Sequence, residues 1–191
     1  MNDFIRVGET LLGLNMKYSD FSLKSVKTFV GMEGGGFNAT LMLNKTKVGF
    51  IINEGCGGET FIQYDEAKHR DTVREFLISQ EAKELTDKWY NDLNKEYAGT
   101  PIEAPKHMPE DLLLDLLIAD YEYMKDAKKL IKKYGLVFRN KGSKEQFRYF
   151  VWPGKKSWSK KDFEAMLAKA KSEPDVVIVN EELDIYPVGV Q

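Results

Sequence analysis

Between Ser22 and Tyr64 the chain reads as four strands joined by short connections, and this feature restricts the fold most. Ser22–Gly31 alternates loosely around Val26, Phe29 and Val30. Phe37–Asn44 places Phe37, Ala39, Leu41 and Leu43 on one face at a period of two. The turn Asn44–Lys47 leads to a third strand, Val48–Asn53, and the turn Gly55–Gly58 to a fourth, Glu59–Tyr64. Strands joined this closely pair antiparallel, because a parallel pair needs a crossover of roughly a dozen residues. The expectation is an antiparallel meander. Its connectivity brings the loops 31–36 and 54–58 to one end of the sheet, opposite the 44–47 turn.

Helical periodicity follows. Asp65 is the expected N-cap of a helical region reaching about Tyr97, with a break near Ser79. Val73, Phe76 and Leu77, then Leu85, Trp89 and Leu93, supply its apolar face. Pro101, Pro105 and Pro109 exclude helix from residues 98–109, which reads as a linker. Pro109 opens a second long helix ending at Tyr134, before Gly135. Its apolar stripe is Leu113, Leu116, Leu117, Tyr121, Met124, Ala127, Ile131 and Tyr134.

The last third reads as strand Leu136–Arg139, turn Asn140–Ser143, strand Gln146–Trp152, a helix at 160–171 and a buried strand Asp175–Asn180. Ser159 and Asp162 form the start of that helix, with Trp158 and Phe163 spaced as a hydrophobic staple. Strand–helix–strand of this length predicts a right-handed parallel crossover. The fold class is therefore α+β: an N-terminal antiparallel β-meander, two long helices and a C-terminal ββαβ unit. The expected organisation is 1–97, the linker 98–109, and 110–191, which can pack as a single domain.

Several function classes lose their basis in the residue inventory. A single cysteine, Cys56, leaves no disulfide framework and no multi-cysteine zinc site. Only His69 and His107 could serve histidine chemistry, and no phosphate-binding P-loop, zincin or dinucleotide fingerprint is present. Asp111, Asp115 and Glu122 share a helix face, as acids on any solvated face would. No catalytic residue, metal site or cofactor is assigned. The longest apolar stretch, Leu112–Ala119, is interrupted by Asp115 and too short to span a bilayer. The start of the chain shows no signal-peptide pattern, so the expectation is a cytoplasmic protein without a membrane partner.

Two sets of residues remain as candidate sites. Gly34, Gly35 and Gly36, with Glu54, Cys56, Gly57 and Gly58, form two glycine loops that could admit a ligand to the backbone or make an anion nest. Glu33, Glu54 and Glu59 would repel phosphate there unless a cation intervened, giving the alternative of a metal-assisted enzyme acting on phosphates. The plainer explanation is that the glycines serve tight turns. The second set emerges from charge. The net charge of −2 is an average of −8 over residues 1–124, +11 over 125–171 and −5 over 172–191. The basic segment also holds Tyr134, Phe138, Phe147, Tyr149, Phe150 and Trp152. Cations interleaved with aromatics suit phosphates and stacked bases. The expected patch is Lys141, Lys144, Arg148, Trp152, Lys155, Lys156, Lys160 and Lys161. Lys160 and Lys161 stand in a helical first turn, where the dipole disfavours them. Only five of the 28 basic residues are arginine. Contact would therefore fall on phosphates rather than on base edges. Three plainer explanations compete. Lysines near a helix C-terminus complement its dipole. Trp158 belongs to the staple, while alternate aromatics of the 146–152 strand face a core. The acidic flanks could pack against the patch and neutralise it.

The segment Gly31-Met-Glu-Gly-Gly-Gly-Phe-Asn-Ala-Thr-Leu41, then Lys47-Val48 and Asn53-Glu-Gly-Cys-Gly-Gly58, resembles small uncharacterised bacteriophage and prophage proteins. Those combine a glycine-rich strand start with an acidic-Gly-x-Gly-Gly turn. Phe138-Arg139 and the ending Val177-Ile-Val-Asn-Glu181 are similar to theirs as well. The resemblance implies a phage or prophage origin, and it carries over no catalytic residue to this chain. The functional expectation is a non-enzymatic binding protein that engages or inhibits a host factor or defence component, whether protein, nucleic acid or nucleotide signal, through the basic aromatic patch or the acidic helices.

Overall fold

A computed structural model describes residues 16–96, 99–142, 146–150, 159–187 and 190. The fold is α+β. The four N-terminal strands, β1 (Phe21–Val30), β2 (Gly35–Leu43), β3 (Thr46–Asn53) and β4 (Phe61–Tyr64), form an antiparallel sheet in chain order. Phe37, Ala39 and Leu41 are buried on β2, as the period of two requires, while a bulge after Leu41 turns Met42 inward too. A second irregularity lies in β1 between Lys24 and Lys27, where Ser25 takes φ 51°.

The helical region after the sheet is two helices, α1 (Ala67–Leu77) and α2 (Gln80–Glu96). Glu66, not Asp65, is the N-cap of α1. The break falls at Ser79, whose hydroxyl accepts the Ala82 N–H at 3.2 Å and so caps α2. On α1, Val73, Phe76 and Leu77 are buried, and Phe76 meets Phe21 with ring centroids 4.9 Å apart. Burying a side chain of this size contributes about 1.5–3 kcal/mol. The face of α2 differs from the sequence expectation. Ala82 and Thr86 are its buried residues, and Trp89 is 37% exposed. Thr86 can be interior because its hydroxyl donates to the Ala82 carbonyl at 2.8 Å.

The proline-containing segment carries its own contacts. Asn94 both donates to the Ile102 carbonyl and accepts its N–H, at 2.9 and 2.8 Å. Met108 is buried and its N–H reaches the Leu77 carbonyl at 3.0 Å. The third helix, α3 (Glu110–Tyr134), begins one residue after Pro109 and ends at Gly135, whose φ of 82° suits a left-handed C-terminal residue. Two compact units divide between Leu117 and Ile118, within α3. The proline segment thus belongs with the first unit, whose core adds Leu112, Leu113, Leu114 and Leu117 of α3.

The second unit has three layers. Its sheet consists of β5 (Val137–Asn140), β6 (Phe147–Tyr149) and β7 (Val176–Ile178), in the order β6-β5-β7. Between β6 and β7 lies α4 (Lys160–Lys171), and α5 (Val179–Leu183) follows β7, where the sequence had suggested continuing strand. Alternation along β5 feeds both faces. Leu136 and Phe138 pack with Phe163 and Ala170 of α4 and with Ile178. Val137 packs with Ala127 and Ile131 of α3 and with Val179. β7 pairs with β5, and antiparallel. The strands β6 and β7 run in the same direction, with β5 between them. The connection from β6 through α4 to β7 is thus the expected parallel crossover, with one strand skipped. The β5–β6 hairpin leaves the other edge of β5 open, and β7 fills it. The N-cap of α4 is Ser159 as expected, its hydroxyl oxygen accepting the Asp162 N–H at 3.2 Å. Trp158, the other half of the expected staple, lies outside the described residues, as does Trp152 at the end of the expected strand Gln146–Trp152.

Candidate functional site

The glycine loops do meet at one end of the sheet. Glu33 donates its N–H to the Gly55 carbonyl at 3.0 Å, and Gly31 donates to Gly34 at 2.7 Å. The loops interlock through bare backbone. A Cβ on Gly31 would stand 2.7 Å from the Glu54 carbonyl oxygen, and one on Gly36 2.7 Å from that of Asn53. Gly55 has φ +65° and Gly57 φ +72°, where glycine is favoured. Gly34, Gly35 and Gly58 differ, since a Cβ there would meet nothing within 4 Å. The sequence shows seven similar glycines; the structure sorts them into four that the fold needs and three that it does not. Gly31→Ala should therefore cost about 1–3 kcal/mol by overpacking. Gly34→Ala and Gly58→Ala should stay within about 0.5 kcal/mol of the parent. Urea unfolding of the three variants checks this, and equal costs would contradict it.

Cys56 is exposed, and its thiol donates to the Glu54 carbonyl at 3.5 Å. Among the described residues no group of three His, Cys, Asp or Glu side chains gathers to hold a metal ion. Burial, then Asp111, raises the carboxyl of Asp115 above its ordinary range.

The basic segment is rearranged more deeply. Lys144, Trp152, Lys155 and Lys156 lie outside the described residues. Lys141 is exposed in the turn after β5, where its N–H donates to the Asp175 carbonyl at 2.6 Å. Arg148 is committed elsewhere. Its guanidinium reaches Glu173 at 2.7 Å and Asn140 at 3.3 Å, and sits 4.9 Å from the Phe138 ring centre. Two more cations are paired with the acidic C-terminal segment: Lys171 with Glu181 at 2.6 Å and Arg139 with Glu182 at 3.0 Å. Arg139 is buried and also donates to the Tyr123 hydroxyl at 3.1 Å. That hydroxyl in turn donates to Glu182 at 2.7 Å. Burial, followed by the hydrogen bond to Glu182, pushes the Tyr123 phenol up to about 12. The acidic flank thus neutralises part of the patch, as one of the plainer explanations supposed.

The lysines of α3 stand apart from this pairing. Lys125, Lys128, Lys129, Lys132 and Lys133 are all exposed, and none enters an ion pair among the described residues. Their spacing (i, i+3, i+4, i+7, i+8) places them along one helical face. At its end Lys133 lies 4.8 Å from the ring centre of Tyr134, which stacks on Tyr149 at 3.8 Å with an 8° tilt. Tyr149 is 38% exposed. Lys160 and Lys161 are exposed in the first turn of α4, on the opposite side of the sheet from α3. Among the described residues, the basic segment therefore exposes five lysines on α3, outside the expected patch, and two of that patch at the start of α4.

The chain matches no family model, no curated protein and no solved structure. Among the described residues no helix is long and apolar enough to cross a membrane.

Proposed function

We propose that this is a non-enzymatic binding protein that holds the sugar–phosphate backbone of nucleic acid against the lysine face of α3. The observation that carries the reading is the set of five exposed lysines in one helical stripe, without ion pairs among the described residues. Other cations of the same segment are paired with Glu173, Glu181 and Glu182. A stripe of ammonium groups neutralises phosphates as point charges and does not supply the planar forks that read guanine. Binding is therefore independent of sequence. The resemblance to small phage proteins supports host nucleic acid, or a nucleic-acid-dependent defence component, as the target. Helix-dipole complementation explains a preference for cations in the last turn, but the effect fades within that turn. Lys125, Lys128 and Lys129 lie before it.

Titration of two labelled oligonucleotides of unrelated sequence at low salt tests the reading. Both should bind with affinities within about threefold of each other, whereas a well-read base pair alone contributes about 1–3 kcal/mol. Absence of binding, or a preference above about tenfold, would overturn it.

A further inference from the structure

The sheet end that carries the glycine loops has no part in that reading. Val30 and Met32 are each 92% exposed there, and Phe29 is 41% exposed. Large apolar groups left in water together at one end of a sheet are a recognised mark of an interaction surface. Gly34, Gly35 and Gly58 add a second observation. Neither contacts nor φ require glycine at these positions. What a missing side chain offers there is close approach of another molecule to the backbone.

The strand itself gives a third. β1 stands at the end of the strand order, and among the described residues no strand pairs with its outer edge. The first part of that edge carries the devices that discourage pairing: Lys24, Lys27 and the bulge at Ser25. Thr28, Phe29 and Val30 carry none. Charge then selects the partner. Glu33, Glu54 and Glu59 are exposed in the two loops. Between Thr28 and Ala67 the only cations are Lys45 and Lys47, in and just after the turn at the other end of the sheet.

We propose that Thr28–Met32 is a docking edge for an extended segment of a partner protein, both apolar and basic. The segment adds a strand to β1, sets its apolar side chains on Val30 and Met32, and presents Lys or Arg to the loop glutamates. This site shares no residue with the lysine face of α3 and stands without it.

The test pans a displayed random-peptide library against the full chain. The expected result is an enriched family alternating apolar residues with Lys or Arg. A synthetic member should protect the amides of residues 28–32 from exchange, and its binding should weaken with added salt. V30D/M32D should weaken it at least about tenfold, with an unchanged circular dichroism spectrum, because both positions are at the surface. K128E/K129E/K132E should leave it unaltered. No enriched family, an acidic family, or binding indifferent to V30D/M32D would overturn the proposal. So would a dimer in light scattering that V30D/M32D dissolves, since the occupant would then be a second copy of the chain.

Discussion

Asn180→Asp is expected to destabilise the C-terminal unit by about 2–5 kcal/mol, although the two side chains have nearly the same shape. Asn180 is fully buried. Its amide nitrogen donates to the carbonyls of Gly135 and Ile185 at 2.8 and 3.1 Å, and its oxygen accepts the Val137 N–H at 2.8 Å. One side chain thereby joins the end of α3, the start of β5 and the residues after α5. Aspartate keeps the acceptor and loses both donors. Ionised, it faces two carbonyl oxygens in a dry site; protonated, it has one proton for two acceptors. Such a site raises the carboxyl above its unfolded value. The variant is then closest to the parent below the unfolded pKa of about 4. Its deficit grows as pH rises through the folded value. Urea unfolding at pH 4 and pH 7 checks both magnitude and sign. A variant as stable as the parent at pH 7 would show that the buried amide is not holding these segments together.

K128E/K129E/K132E is expected to lower oligonucleotide affinity by about 100-fold or more at low salt, as neutralised phosphates become repelled ones. The stripe loses three cations and gains three anions at exposed positions, so folding is little affected. Lys160 and Lys161 make the comparison informative. They lie on the other side of the sheet from α3, and K160E/K161E should change affinity by less than about threefold. Equal losses from both variants would mean that affinity follows total charge and that no particular face binds. Anisotropy titration of one labelled oligonucleotide against the parent and both variants gives the answer.

What could be read from sequence followed locality. The meander, the break at Ser79, the Gly135 ending and the Ser159 cap each depend on residues within a few positions, and the structure has all of them. The buried face of α2 was missed because Leu85 and Trp89 outrank Ala82 and Thr86 in apolar character. Burial there follows neighbouring elements, and the Thr86 hydroxyl is satisfied by its own helix. The parallel sense of β6 and β7 was legible from the strand–helix–strand connection. The insertion of β5 between them was not, because strand order is set by which edge of β5 remains open. The candidate site divided in the same way. Segment charges located a basic stretch, but could not show that Arg148, Lys171 and Arg139 would meet Glu173, Glu181 and Glu182. That pairing takes up three cations of the segment and leaves the five lysines of α3 without ion pairs among the described residues. No local signal separates Gly31 from Gly34, because the carbonyl of Glu54 that Gly31 must clear is distant in sequence.

The central claim, phosphate contact by the lysine stripe, is tested most directly by the salt dependence of binding to a single-stranded oligonucleotide. Each neutralised phosphate contributes about −0.7 to the slope of log K against log salt, so three to five lysines predict a slope of about −2 to −3.5. K128E/K129E/K132E should bring that slope close to zero. Binding with a slope near zero in the parent chain, or a steep slope that survives in the variant, would contradict the account.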